Sequence, residues 1–124
     1  MPMVCFAVNL DWSLSKNKKF VGRQSKILSA GYKKCRSDII WLCSRALKAE
    51  SIEFEKKEKV YIKIIVLKKS NIGDCINLIE GIADAIKVAI DVDDRYFSVT
   101  CDWGIQTKDD NKKYGERIFI EVKQ

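Results

Sequence analysis

The sequence predicts an α+β domain: a mixed β-sheet with two main helices packed mostly on one face. Three observations lead there. Residues 3–10, 60–67, 96–103 and 116–122 have strand composition, and two longer stretches, beginning at Ser29 and at Gly73-Asp74, repeat apolar residues at helical spacing. At 124 residues, with no internal repeat, linker or low-complexity tract, the chain reads as one domain over 1–124 with a single core.

Residues 3–10 are apolar on both alternating faces except for Asn9, as expected for a strand inside a sheet. Residues 11–19 form a polar loop that holds Ser15 and Asn17. Residues 20–28 place Gly22 and Ser25 between apolar ends, which predicts a short hairpin. Ser29 then caps a helix to about Glu50, with Tyr32, Cys35, Ile39, Leu42, Cys43 and Ala46 as its core stripe. Trp41 within it reads as partly core. Residues 51–59 are a connector of mixed charge. Residues 60–67, β-branched on both faces, are the strongest strand and deliver the backbone to Lys68 and Lys69.

Gly73 and Asp74 read as the start of the second helix, because a short side-chain oxygen at a cap accepts a free backbone N–H. The helix runs to about Ile90. At about 100° per residue, Leu78, Ile79, Ile82, Ala83, Ile86 and Ile90 share one stripe, and Asn77, Glu80 and Asp84 gather opposite. Asp93 and Asp94 follow, and a strand beside the helix is expected to carry this pair back towards Asp74. In that strand Phe97, Val99, Cys101 and Trp103 alternate with polar or aromatic neighbours. Residues 108–115 read as a polar tip. The last strand faces Ile118, Ile120 and Val122 one way.

Composition narrows the chemistry. The chain has no histidine, which excludes imidazole bases, imidazole ligands and Ser-His or Cys-His nucleophile pairs. Oxygen donors remain, and these suit hard cations such as Mg²⁺ or Mn²⁺. The five cysteines are odd in number and scattered through apolar segments, so buried free thiols are expected rather than disulfides or zinc ligands. No stretch is apolar enough for a membrane span or signal peptide, so a cytoplasmic protein is expected. The net charge is +6, and between Trp12 and Ser37 stand Lys16, Lys18, Lys19, Arg23, Lys26, Lys33, Lys34 and Arg36 without one acid. Such a run attracts a polyanion by counterion release, or else forms a solvated face.

The order of these features resembles the RusA family of Holliday junction resolvases, with this chain as a divergent member. The residues that carry the resemblance are Ser15-Lys16-Asn17 after the first strand, Leu28-Ser29 before the first long helix, Asp74-Cys75-Ile76-Asn77, then Asp84, then Asp93-Asp94 before the next strand. They span nearly the whole chain. Three departures stand beside them: Ile76 where the family carries a second aspartate, Glu80 where it carries a lysine, and Trp12-Ser13-Leu14 in place of its proline-rich approach.

The resemblance implies a dimeric, metal-dependent endonuclease of bacteria or their phages, acting on branched DNA in recombination and repair. It implies Asp74, Asp93 and Asp94 as carboxylates holding Mg²⁺ or Mn²⁺; beside them Asn77 offers a neutral oxygen, and Glu80, on the polar side of the helix one turn beyond Asn77, is expected to supply the missing charge. It further implies a DNA-binding set of Lys16, Asn17, Lys18, Lys19, Arg23, Lys26, Lys68 and Lys69, with Lys112 and Lys113 holding further phosphates. Other readings stay open: Asp74 as a helix cap only, Asp93-Asp94 as a turn only, and Asp84 as a support. The competing functions are a RusA-like protein that binds four-way junctions without cutting them, and a protein-interaction module. Trp12, Trp41 and Trp103 are each compatible with core, interface or base stacking.

Overall fold

The computed structural model describes residues 2–21 and 27–124. Four strands, β1 (Met3–Asn9), β2 (Val60–Lys68), β3 (Phe97–Ile105) and β4 (Arg117–Lys123), form one sheet in the order β1-β4-β2-β3. Helices α1 (Ala30–Ala49) and α2 (Ile79–Ile90) are the two main ones, and α3 (Lys108–Tyr114) is a single short helix between β3 and β4. The α+β class and the mixed sheet are as the sequence predicts.

One face of the sheet builds the core. Val4, Val60, Ile62, Ile64, Val66, Ile118, Ile120 and Val122 point into it and meet Tyr32, Cys35, Ile39 and Cys43 of α1 and Ile82, Ala85, Ile86 and Ile90 of α2. Ser29 caps α1, its hydroxyl accepting the Tyr32 N–H at 3.2 Å. β4 pairs antiparallel with both β1 and β2, whereas β2 and β3 run parallel, Val60 beside Phe97 through Lys68 beside Ile105. That parallel pair with α2 between its strands is a βαβ crossover.

Several expectations need correction. Residues 3–10 are not inside the sheet: β1 is an edge strand, and its apolar outward side chains are left exposed. The both-faced apolar pattern of β2 also misleads, since Tyr61 and Lys63 on the far face are exposed while only the near face is buried. Trp41 is 59% exposed, its ring meeting the Arg45 guanidinium one turn on, 5.1 Å from the centroid. The polar tip over 108–115 is the helix α3, capped by the Thr107 hydroxyl, which accepts the Asp110 N–H at 3.1 Å. All five cysteines are free, but Cys5 is exposed and Cys101 half-buried.

The helix expected from Asp74 begins as a 3₁₀ turn, Cys75–Leu78, before α2 proper. At the two ends of the expected hairpin, Phe20 and Leu28 form an antiparallel bridge and the Val21 N–H donates to the Ile27 carbonyl at 2.9 Å. Residues 22–26, with the expected DNA contacts Arg23 and Lys26, lie outside the described residues. No helix among the described residues is long and apolar enough to cross a membrane.

Candidate nucleic-acid interface

In a βαβ crossover the helix starts at the carboxyl end of the first strand and ends at the amino end of the second. Asp74 therefore lies beside Lys68, and Asp93 and Asp94 lie beside the start of β3, at the other end of the sheet. The contacts agree. Lys68 Nζ donates to the Gly73 carbonyl at 3.0 Å at one end, and Lys56 pairs with Asp91 at 2.9 Å at the other. Twelve residues of α2 set these ends roughly 18 Å apart along the helix axis. The expected return of the acidic pair to Asp74 does not occur. Asp91 ends α2 in the left-handed conformation (φ 55°), and only Val92 separates it from Asp93, too short a link to retrace the helix.

Each acid has local work instead. The Asp74 carboxylate accepts the Ile76 N–H at 3.3 Å and caps the 3₁₀ turn. Asp93 accepts the Arg95 N–H at 3.0 Å and its guanidinium at 3.3 Å, and the backbone bond, helped by that cation, holds its carboxyl below the usual range. Asp94 begins the 3₁₀ turn Asp94–Tyr96 and is exposed.

Glu80 and Asp84, one turn apart on the polar side of α2, both grip Lys19, at 2.9 and 3.5 Å. The Tyr32 hydroxyl donates to Asp84 at 3.1 Å, and the Lys19 ammonium also lies over the Tyr32 ring, 5.4 Å from its centroid. The hydrogen bond to Glu80 raises the Lys19 pKa, outweighing partial burial. Glu80 is thus spent on an ammonium rather than completing a metal site with Asp74. Lys19, expected on the DNA surface, is a clamp between the loop and α2. Asp84 supports the fold, and Asn77, half-buried, gives its N–H to the Asp74 carbonyl at 3.1 Å. Among the described residues no three acidic or thiol groups gather where a cation would sit. The donor set, divided between two ends and partly neutralised by Lys19, does not fit the Mg²⁺ or Mn²⁺ centre that the resemblance implies.

The end of the sheet that keeps Asp74 gathers other features. Because β1 runs parallel to β2 across β4, the loop after β1, the loop after β2 and α3 after β3 all emerge there, at the carboxyl ends of the strands, where open α/β sheets place their ligands. The loop after β1 is pinned tightly. A Cβ on Gly81 of α2 would lie 2.9 Å from the Leu14 carbonyl, and one on Gly73 (φ +98°) would lie 2.4 Å from the Trp12 ring. Ser15 is buried, its hydroxyl accepting the Asn17 N–H at 3.3 Å, so the Ser15-Lys16-Asn17 element is a fixed turn. It leaves Lys16, Asn17 and Lys18 exposed. Lys69 is exposed on the neighbouring loop, and none of these three lysines has an ion-pair partner among the described residues.

Lys68 differs from them. It is 2% exposed, donates to Gly73 and lies 4.3 Å from the centroid of the Trp103 ring. It lines a groove of about 350 Å³ with Asn71, Asp74, Ile76, Ile79 and Trp103. Burial raises the pKa of Cys75 on the groove floor, and the Lys68 charge partly offsets that rise. The sequence groups Lys68 with the expected phosphate contacts and leaves Trp103 compatible with core, interface or base stacking. The available signal was the strict alternation of β2, which sends Lys68 inward with Val66 and Ile64.

The fold and this end of it define a small α+β domain with a βαβ crossover between the adjacent strands β2 and β3 and a groove lined by Lys68 at their carboxyl end. No protein-family model matches the chain, and no curated protein matches its sequence.

Proposed function

We propose that the chain is a divergent RusA-like protein that binds branched DNA as a homodimer without hydrolysing it. One observation carries this reading: the crossover separates Asp74 from Asp93 and Asp94, while Lys16, Lys18 and Lys69 at the Asp74 end have no ion-pair partner among the described residues. Unpaired cations on a pinned loop suit phosphates read by position rather than by base sequence. Metal-assisted hydrolysis needs several carboxylates around one cation, and the separation works against that. The metal-dependent endonuclease remains the second reading, favoured by the order Asp74, Asn77, Asp84, Asp93-Asp94.

The test is a synthetic four-way junction beside the matching linear duplex, in Mg²⁺ and in Mn²⁺, with Asp94→Asn as control. The expected outcome is a retarded junction complex, two protomers per junction by sedimentation, and no nicks. Paired symmetrical nicks that disappear in D94N would restore the endonuclease. Neither binding nor nicks would favour a protein-interaction module.

A further inference from the structure

We infer that the groove beneath Trp103 is a subsite for one unpaired nucleotide, in which Lys68 takes the phosphate and Trp103 the base. The inference rests on the DNA-binding reading above and assigns it a part that the exposed lysines do not supply.

The argument begins with the charge. A buried ammonium is costly unless an opposite charge accompanies it. Lys68 is buried, and its partners are the Gly73 carbonyl, the Trp103 ring and the Cys75 thiol, none of them an anion. Among the described residues it has no ion pair. These partners orient the ammonium without neutralising it, so an oxyanion entering the groove meets an already positioned cation. The Asp74 carboxylate also lines the groove, but the Ile76 N–H holds it, and it is no ion-pair partner for Lys68.

The apolar surface gives the second half. Trp103 is 48% exposed and Ile76 65% exposed, two large apolar side chains left open along a groove that contains a buried cation. A ligand that is anionic at one point and flat and aromatic at the next satisfies both, and a volume of about 350 Å³ falls in the range of small-ligand sites. Exposed aromatic rings beside cations are how single strands are held, because every base has a face to stack. A base inside a duplex stack cannot enter a groove, so the occupant is unpaired, as at a branch point or a flap.

The experiment is fluorescence anisotropy of a labelled 20-nucleotide oligothymidine strand and of a blunt duplex of equal length, with wild type, Trp103→Ala, Trp103→Phe, Lys68→Gln and Asp74→Asn, each checked by circular dichroism. The expected result is that W103A and K68Q weaken single-strand binding relative to duplex binding by at least about fivefold. W103F should retain most of it, and D74N, which removes a negative charge from the groove lining, should tighten it. If K68Q fails to fold, the two Trp103 variants and D74N carry the comparison. Unchanged single-strand affinity in W103A, or equal losses on both DNAs, overturns the subsite and leaves the basic surface standing. Failure of the wild type to bind either DNA overturns the subsite and the DNA-binding reading together.

Discussion

Lys18, Lys19 and Lys68 are one residue type in three environments: exposed, clamped by two carboxylates, and buried against a ring. Sequence alone treats them alike, because the acids that claim Lys19 lie 61 and 65 residues further on. The cysteines divide in the same way. Cys43 is fully buried, and burial pushes its thiol from 9.0 up to about 12. In the unfolded chain that thiol ionises near its ordinary value, while the folded chain still holds the proton. Above pH 9 the unfolded state therefore binds fewer protons, and stability falls with rising pH until about pH 12 is reached. The slope from this one group is about 1.4 kcal/mol per pH unit. Base-induced unfolding followed by circular dichroism should begin above pH 9, and Cys43→Val should move the midpoint upward. An unmoved midpoint would assign the alkaline limit to other groups, such as Cys35, which burial raises to about 11.

The elements turn on α2. Alanine is about 1 kcal/mol better than glycine inside a helix, so Gly81→Ala considered alone should stabilise. The structure reverses the sign, because the new Cβ would meet Leu14 side-chain atoms at 2.8 Å and the Leu14 carbonyl at 2.9 Å, pushing the loop after β1 off the helix. Overpacking of this kind costs about 1 to 3 kcal/mol, so G81A should lower the stability measured by urea unfolding. A more stable G81A would mean that the loop yields freely. The strands and two long helices were legible in the sequence because burial on one face imposes periods of 2 and 3.6. The short helix α3 was not, since Lys108–Tyr114 carries no apolar stripe to reveal it. The candidate site was legible residue by residue as caps and exposed lysines. Its assembly was not, because the separation of Asp74 from Asp94 follows from the parallel pairing of β2 and β3, which no local pattern records.

At the scale of the whole molecule, the two ends of the sheet differ in kind. One carries Asp91, Asp93, Asp94 and the connector before β2, and the other carries the pinned loop, the groove and the unpaired lysines. A modest net charge of +6 therefore says less about binding than the placement of a few cations. The dependence of DNA affinity on salt separates placement from total charge, since each phosphate contact contributes about 0.9 to the slope of log affinity against log salt. The double variant Lys16→Ala/Lys18→Ala should reduce that slope by about 2 and weaken linear and branched DNA alike. Lys19→Ala removes one formal charge from the adjacent position. Its ammonium is already paired with Glu80 and Asp84, so it should leave the slope near the wild-type value while lowering the thermal midpoint. If K19A reduced the slope by about 1, the ion pairs would have to open when DNA binds, and the clamp would become part of the binding surface. Equal slopes in all variants would place the phosphate contacts on another face of the molecule.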